Sequence, residues 1–490
     1  MENRKNIFLV CLISGIGIFL RFYHLGKLCF WCDEFLAISY GWQPLKWMVN
    51  YITFNDAHPP LFYTIVHFLL KSGFSEFYLR SLPALFGILS IPLAFFVGRE
   101  FKDEKTGIIF SLIVSLNPAL ILWSRILKSY SLFTFFLLLS FYFFMKTFKN
   151  NENKKIRYIF LLFISDIILL YLHNFAFIWI LIEGITLISG KKFNKNWFFY
   201  YLSLLLFYLP WLIRIPYQLK FTLGVVRPIP VVFRYFYVLF YFFFGETLYP
   251  LNFYIIIPFL IILVFILINS FKEFIKIEKI KKLLIVSGII TPFFLIPFPS
   301  TVPQNLLPFS IFILLLLSIS FRKKLLSKFL FFSFLLITSF STYFYFTEND
   351  KNFHDVSKLI PYREINKIFV ENLDKKSIIF ENERRQFFTD KKFSAFDWYY
   401  RGKAKVIEIR KEVGIERIKK IAKNYEKIGL FLNYNEETEG CEEIKKYFMK
   451  NYTLIYQKKF FYNEKLLSRL KGKKEYYWFV EVYIFEKIKK

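Results

Sequence analysis

Two adjacent acids, Asp33 and Glu34, follow Trp31-Cys32 just after the first apolar run of the chain. Carboxylates beside a bilayer are costly unless something uses them. A second chemistry-bearing stretch follows, Asp56-Ala57-His58-Pro59-Pro60-Leu61-Phe62-Tyr63. Its paired prolines favour an extended turn over a helix and so present Asp56 and His58 in a set pose. Near the ends of later apolar runs stand Arg21, Arg80, Arg125, Lys128, Tyr130 and His173. Acids and cations gathered on one side of a membrane suit transfer of a group from a phosphate leaving group. A carboxylate takes the proton of an attacking hydroxyl, the reacting carbon passes through an oxocarbenium-like state, and cations hold the departing phosphate. Outside the cytoplasm there is no nucleotide-sugar pool, so a glycosyl donor would arrive on a lipid as a polyprenyl phosphate.

Each residue also has a plainer reading. Asp33-Glu34 suits a helix N-terminus, and Asp56 and His58 suit a solvated or capped turn. Arg80 can snorkel, Lys128 and Tyr130 can anchor a helix at the interface, and His173 can be a packed interface histidine. Asp56, His58 and His173 are the candidates for substrate or metal contact. No cofactor is demanded, and a divalent metal ion is the one that these residues could use.

The elements that position these residues are apolar helices. The 490 residues are 56% hydrophobic and 22% aromatic, with a net charge of +29. Apolar blocks of the ~20 residues needed to span a bilayer fill the first 346 residues. Short basic loops divide them, the pattern of a polytopic helical membrane protein. The positive charge, spread over such loops and a tail, does not describe a nucleic-acid binder. Four cysteines exclude a disulfide scaffold. Cys29 and Cys32 form a CxxC that reads as two ordinary thiols, with a local disulfide or half a metal site as the alternatives.

Basic loops at 3–6, 99–105, 146–157, 191–195, 272–282 and 322–328 should face the cytoplasm. The matching helices lie near 7–23, 78–98, 107–123, 129–146, 157–173, 175–190, 197–213, 252–271, 283–299, 304–320 and 328–346. That makes about eleven spans, thirteen at most, with an aromatic segment at 231–249 read as interfacial or re-entrant. The first outer loop covers 21–77, with an amphipathic helix at 61–72. Residues 1–346 form the membrane domain. Residues 347–490, which hold about half of all Lys and Arg, form a small α/β domain. Its strands are expected near 377–380, 405–409, 428–432 and 476–485, and its helices near 355–372, 415–426 and 441–450. An odd number of spans puts this domain and the acids outside the cell membrane.

The chain resembles the GT-C membrane glycosyltransferases of the protein O-mannosyltransferase type (glycosyltransferase family 39), which include the bacterial aminoarabinose transferases that modify lipid A. The resemblance rests on Arg21-Phe-Tyr-His-Leu-Gly, Trp31-Cys-Asp-Glu, His58-Pro-Pro-Leu-Phe-Tyr, the run Ser75 to Gly87, Asn117-Pro, Ser124-Arg-Ile-Leu-Lys-Ser-Tyr and His173-Asn-Phe-Ala, in order over about 180 residues. Gln304-Asn-Leu-Leu-Pro fits a late family pattern. The resemblance implies a GT-C fold and inverting transfer of a sugar from a polyprenyl-phosphate donor. It implies Asp33 as the key acid supported by Glu34, and donor-phosphate contact by Lys128 and Tyr130. Arg125, Arg80 and Arg21 are further phosphate candidates. The family often has Gln-Glu-Ala-Arg where this chain has Arg125-Ile126-Leu127-Lys128. The expected partners are the lipid-linked sugar, membrane lipids and an acceptor that is a lipid, glycan or protein, with no nucleic acid. Two other functions compete. One is a transporter or flippase for a lipid-linked or anionic substrate, which would be expected to carry repeats and broken mid-membrane helices. The other is a non-catalytic assembly component.

Overall fold

A computed structural model describes residues 2–148, 152–223, 230–298, 301–320, 325–347, 360–383, 386–388, 391–409, 415–434, 441–464 and 477–488. The chain divides into two compact units. One comprises Met1–Leu25 with Pro44–His354, and the other comprises Gly26–Gln43 with Asp355–Lys490. The short segment that bears Asp33 and Glu34 therefore groups with the C-terminal residues and not with the helices flanking it in sequence.

In chain order the helices are α1 (Glu2–Phe22), α2 (Cys32–Trp42), α3 (Leu45–Asn55), α4 (Leu61–Leu70), α5 (Glu76–Phe101), α6 (Glu104–Leu116), α7 (Pro118–Ser124), α8 (Tyr130–Lys146) and α9 (Glu152–Leu172). They continue as α10 (Ala176–Ser189), α11 (Lys195–Leu212), α12 (Ile215–Leu223), α13 (Val231–Phe244), α14 (Phe253–Phe274), α15 (Lys279–Phe293), α16 (Pro303–Leu306), α17 (Ser310–Ser318) and α18 (Leu325–Thr347). All but α2 belong to the helical unit.

Every helix expected from the apolar runs is present as a helix or a broken helix. Among the described residues, four helices are long and apolar enough to cross a membrane, or five if the bent pair α6–α7 counts as one. The count of eleven spans thus exceeds what length and apolarity establish. Outward-facing Ile257, Ile261, Val264, Phe265 and Ile268 on α14 are exposed, as suits side chains solvated by lipid. The loop 21–77 is more ordered than expected, holding α2 and α3 as well as α4, which ends at Leu70 rather than 72. The aromatic segment near 231–249 is helical over α13.

Breaks in the helices follow from proline and asparagine. The apolar run 107–123 is two helices bent by 58°. Asn117 caps the second through its Oδ1, which accepts from Leu120 N at 2.9 Å. Pro118 has no N–H to give the Val114 carbonyl, so Arg21 Nη2 takes it at 3.2 Å and Nη1 takes Ser115 O at 3.1 Å. The run 304–320 likewise breaks into α16, a 3₁₀ turn at Leu307–Phe309 and α17. α5 and α6 approach backbone to backbone: a Cβ on Gly98 would sit 2.8 Å from Gly107 Cα. Small residues at such crossings let membrane helices gain van der Waals contact.

The other unit holds helices α19 (Tyr362–Asn372), α20 (Ala395–Tyr399), α21 (Ile415–Ala422) and α22 (Cys441–Asn451). Its strands are β1 (Ser377–Glu381), β2 (Gln386–Phe388), β3 (Lys391–Phe393), β4 (Lys405–Glu408), β5 (Lys427–Asn433), β6 (Tyr452–Glu464) and β7 (Tyr477–Lys487). A five-stranded sheet runs β4-β1-β5-β7-β6, and β2 and β3 form a separate pair. β1 lies parallel to β4 and β5, whereas β7 is antiparallel to β5 and β6. All five residues of β1 are buried, because helices cover both faces. Ile418, Ala422, Ile444 and Phe448 pack on one face. On the other, Gly429 leaves room for Phe369 and Leu373, either of which a Cβ would meet at 2.8 Å. The first part of the expected helix 355–372 lies outside the described residues.

Candidate active site

In the helical unit, the paired-proline turn and the loop between α7 and α8 supply most of the candidates. α3 stops at Asn55, and Asp56 takes extended backbone (φ −143°) as its C-cap. The Asp56 carboxylate then folds over the turn. Its Oδ1 accepts from the His58 backbone N–H at 2.8 Å and lies 2.7 Å from His58 Nδ1. Its Oδ2 accepts from the Tyr63 hydroxyl at 3.1 Å. An ionised carboxylate only accepts, so the His58 proton sits on Nδ1. Gln218 donates to the His58 carbonyl at 3.0 Å, and Asn174 donates to Ala57 O at 2.8 Å. Burial alone would raise the Asp56 carboxyl, but the charge and hydrogen bonds of His58 and the charge of Lys128 hold it below the usual range.

His173 lies beside this turn, its ring 5.0 Å from that of His58 and stacked on Phe133 at 5.5 Å. The Phe175 N–H donates to its Nδ1 at 3.1 Å, which puts the proton on Nε2. That Nε2 is buried without a well-formed hydrogen bond, although the Asn305 side chain lies close enough to act on the ring. Burial, aided by the charges of His58 and Lys128, pushes the imidazole well below its ordinary value, against the opposing influence of Asn305. The result is a neutral ring with an N–H to give.

Lys128 is buried, and its charge reaches both Asp56 and His173. Tyr130 opens α8 and packs edge-on against Trp123 at 4.7 Å, while its hydroxyl donates to Asn305 Oδ1 at 3.0 Å. Tyr130 and Arg21 line one cavity with Ser90, Trp123, Ser131 and Thr134.

The three arginines are engaged with the frame. Arg21 is fully buried and bonds carbonyls of α1 and α6, leaving Nε without a partner. Arg125 donates to the Leu20 and Arg21 carbonyls and to the Tyr345 hydroxyl at 3.1, 2.9 and 3.0 Å. Its guanidinium lies 4.9 Å from the Phe346 ring centroid. Arg80, also buried, donates to Leu25 O at 3.2 Å.

Asp33 and Glu34 belong to the second unit. Trp31 precedes α2 in extended conformation, and its N–H donates to Glu34 Oε2 at 2.9 Å. Glu34 is buried and closes the first turn, where an acid also complements the helix dipole. Asp33, one residue earlier in that turn, is partly exposed. Cys29 is buried.

The metal reading has little to hold it. Among the described residues, no group of three or more His, Cys, Asp or Glu is arranged for a cation. Each of His58 and His173 has its Nδ1 in use, and the carboxylate nearest them is spent on His58 and Tyr63. A catalytic zinc wants three protein ligands, and the described residues around His58 and His173 do not offer them.

The Tyr63, Phe133, Gln218 and Asn305 contributions were not among the sequence candidates. Only Asn305, inside Gln304-Asn-Leu-Leu-Pro, and Tyr63, inside the paired-proline motif, carried a signal that could have found them.

Residues 56–222 match the family model described as dolichyl-phosphate-mannose-protein mannosyltransferase. That stretch begins at Asp56 and takes in Lys128, Tyr130 and His173. No curated protein matches the sequence. Among solved structures, ArnT from Cupriavidus metallidurans in the apo state is similar with a TM-score of 0.59 and 10% identity, over 96% of this chain and 97% of that one. The same protein bound to undecaprenyl phosphate gives 0.54 and 11% over the same shares. The archaeal oligosaccharyltransferase AglB from Archaeoglobus fulgidus, in complex with an inhibitory peptide and a dolichol-phosphate, gives 0.52 and 10% over 93% and 73%. The chain has the fold of the GT-C membrane glycosyltransferases, and the stretch 56–222 within it resembles their mannosyltransferase members.

Proposed function

We propose that the protein is a membrane glycosyltransferase that moves a sugar from a polyprenyl-phosphate donor to an extracytoplasmic acceptor with inversion. The observation that carries this reading is the cluster of buried Asp56, Lys128, Tyr130 and His173 with half-buried His58, within the stretch that matches the mannosyltransferase model. Two of the similar solved structures hold a polyprenyl phosphate, in ArnT and in AglB, which favours the same class of donor here.

In the proposed reaction the acceptor oxygen forms a bond to the anomeric carbon as the bond from that carbon to the phosphate oxygen breaks. The acceptor proton passes to the Asp33 carboxylate, and polyprenyl phosphate leaves with the bonding pair. Glu34 holds the first turn of the helix that carries Asp33. Lys128 and the His173 Nε2–H meet the charge that grows on the leaving phosphate, as fixed donors do in a water-poor site. Tyr130 shapes the same place. Asp56 locks the tautomer and pose of His58. Arg21, Arg80 and Arg125 act by holding helix ends, so their effect on the phosphate is indirect.

The test is release of free polyprenyl phosphate from a panel of labelled polyprenyl-phosphate sugars by the purified protein in whole-envelope extract, compared with Asp33→Asn. Release that falls at least ~10³-fold in the variant supports a base role. Equal release by both proteins would remove Asp33 from the chemistry.

A further inference from the structure

The segment 26–43 is short, yet it is held at both ends by the C-terminal residues of its unit. The Phe30 backbone N–H, three residues before Asp33, donates to the Tyr399 hydroxyl at 2.7 Å. The Trp398 ring meets Phe30, Phe35 and Trp42 edge-on, at centroid distances of 6.2, 5.6 and 6.0 Å. One indole thus touches the approach to α2, its first turns and its last residue. Arg363 adds a bond to Lys27 O at 2.7 Å.

The clamp is itself well braced. Tyr399 stacks on Tyr362 with ring centroids 5.4 Å apart. The Tyr362 hydroxyl donates to the Glu383 carboxylate, whose other oxygen accepts from Phe396 N at 2.7 Å. Ser394 caps α20 by accepting from Asp397 N. Phe30, Phe35 and Tyr399 are all buried.

An isolated helix of α2's length is marginal in water. Its pose therefore depends on what it packs against. We propose that Trp398 and Tyr399 are positioning residues for the Asp33 carboxylate, so that the C-terminal residues serve the transfer step itself rather than forming a separate module. This rests on the reading of Asp33 as the base. The device is physically economical: the hydroxyl fixes the backbone at the entry to α2, and the indole fixes the rotation of α2 about its axis. A general base must sit within hydrogen-bond reach of the proton it takes, and small misplacements are costly in rate.

The experiment uses the full chain in lipid and the polyprenyl-phosphate sugar that gives release in the panel, with kcat and donor KM measured separately. Tyr399→Phe, which removes one hydroxyl, should lower kcat by about 3–10-fold, the worth of one hydrogen bond, and leave donor KM unchanged. Trp398→Ala should lower kcat by ~100-fold, as a loosened catalytic group does, with Trp398→Phe restoring most of it. In an Asp33→Asn background neither change should lower the residual rate further, because the group being positioned is already gone. Amide exchange over residues 30–42, read on the same proteins, should quicken in Trp398→Ala and Tyr399→Phe.

Unchanged kcat in both variants alongside a dead Asp33→Asn would overturn the positioning role and leave the transferase reading standing. Full losses that persist in the Asp33→Asn background would overturn it too, since they would act through something else. A fully active Asp33→Asn would sink both readings together. If no donor in the panel is turned over, exchange decides: amides over 30–42 as slow in Trp398→Ala as in the parent overturn the clamp.

Discussion

His173 and Asp56 respond to acid in the same direction through different charge changes. Burial first, then the charges of His58 and Lys128, holds His173 neutral well below the ordinary imidazole range. As the pH falls below about 6.5, the unfolded chain binds a proton that the folded chain refuses, so stability falls from there toward the folded value. Asp56, buried but held below the carboxylate range by His58 and Lys128, contributes stability that is intact above about pH 4 and is lost as the pH falls through its folded value. Thermal unfolding of the purified protein from about pH 8 to about pH 3 should show both limbs. His173→Gln should flatten the upper limb and Asp56→Asn only the lower one; a His173→Gln profile that tracks the parent would place the upper limb on another group. In transfer, His173→Ala should cost ~100-fold in kcat if Nε2–H faces the leaving phosphate, and His173→Gln, which keeps an N–H, should lose ~10-fold or less. Asp56, His58, Lys128, Tyr130 and His173 were all legible as candidates, because proline pairs, helix ends and charges at apolar borders mark themselves locally. Their grouping was not. The contacts of Phe133 with His173 and of Tyr130 with Asn305 join segments far apart in sequence, and nothing in a local pattern encodes them.

The helix break at Asn117-Pro118 explains why a fully buried arginine stands at the end of α1. The Val114 carbonyl loses its helical donor to Pro118, and Arg21 replaces that donor while also binding the Ser115 and Gly17 carbonyls. Arg21→Met should therefore destabilise the helical unit by about 2–4 kcal/mol, since each buried acceptor left without a partner costs ~1–3 kcal/mol. Denaturant unfolding in detergent reads this, and the donor KM of the folded fraction should stay near that of the parent. A raised KM with no loss of stability would instead put Arg21 on the donor. Among elements, long apolar helices were legible because lipid-facing and core positions alike demand apolar residues. α2 and α3 were missed: Pro44 parts them, and each is shorter than a span. β6 was missed because Tyr452–Glu464 mixes lysines and glutamine with aromatics, as an edge strand does. β1, β5 and β7 were found as apolar runs of strand length, because both faces of the sheet are covered.

Sidedness is where the sequence argument and the structure meet least, and where one measurement decides most. Four or five helices pass a strict test of length and apolarity, while the alternation of basic loops calls for eleven spans. The difference lies in helices such as α8 and α10, which are apolar but only 17 and 14 residues long. Such helices can cross a thin or locally deformed bilayer, or a protein interior, without the full ~20 residues. An odd count puts the C-terminal residues outside and the basic loop between α8 and α9 inside. An even count, reached if α13 also spans, would put the C-terminal residues on the other side of the membrane from segment 26–43, which they contact through Phe30 and Tyr399, so the packing of that unit favours the odd count. Single cysteines at exposed Lys376 and at exposed Lys154 separate the two. With Cys11, Cys29, Cys32 and Cys441 replaced by serine, a membrane-impermeant maleimide should label Lys376→Cys in intact spheroplasts and Lys154→Cys only after permeabilisation. The reverse pattern would invert the whole molecule. Labelling of both only after permeabilisation would make the number of spans even and withdraw the extracytoplasmic site. The +29 net charge does not prejudge the result, because long domains cross largely regardless of charge and the inside rule is read on short loops.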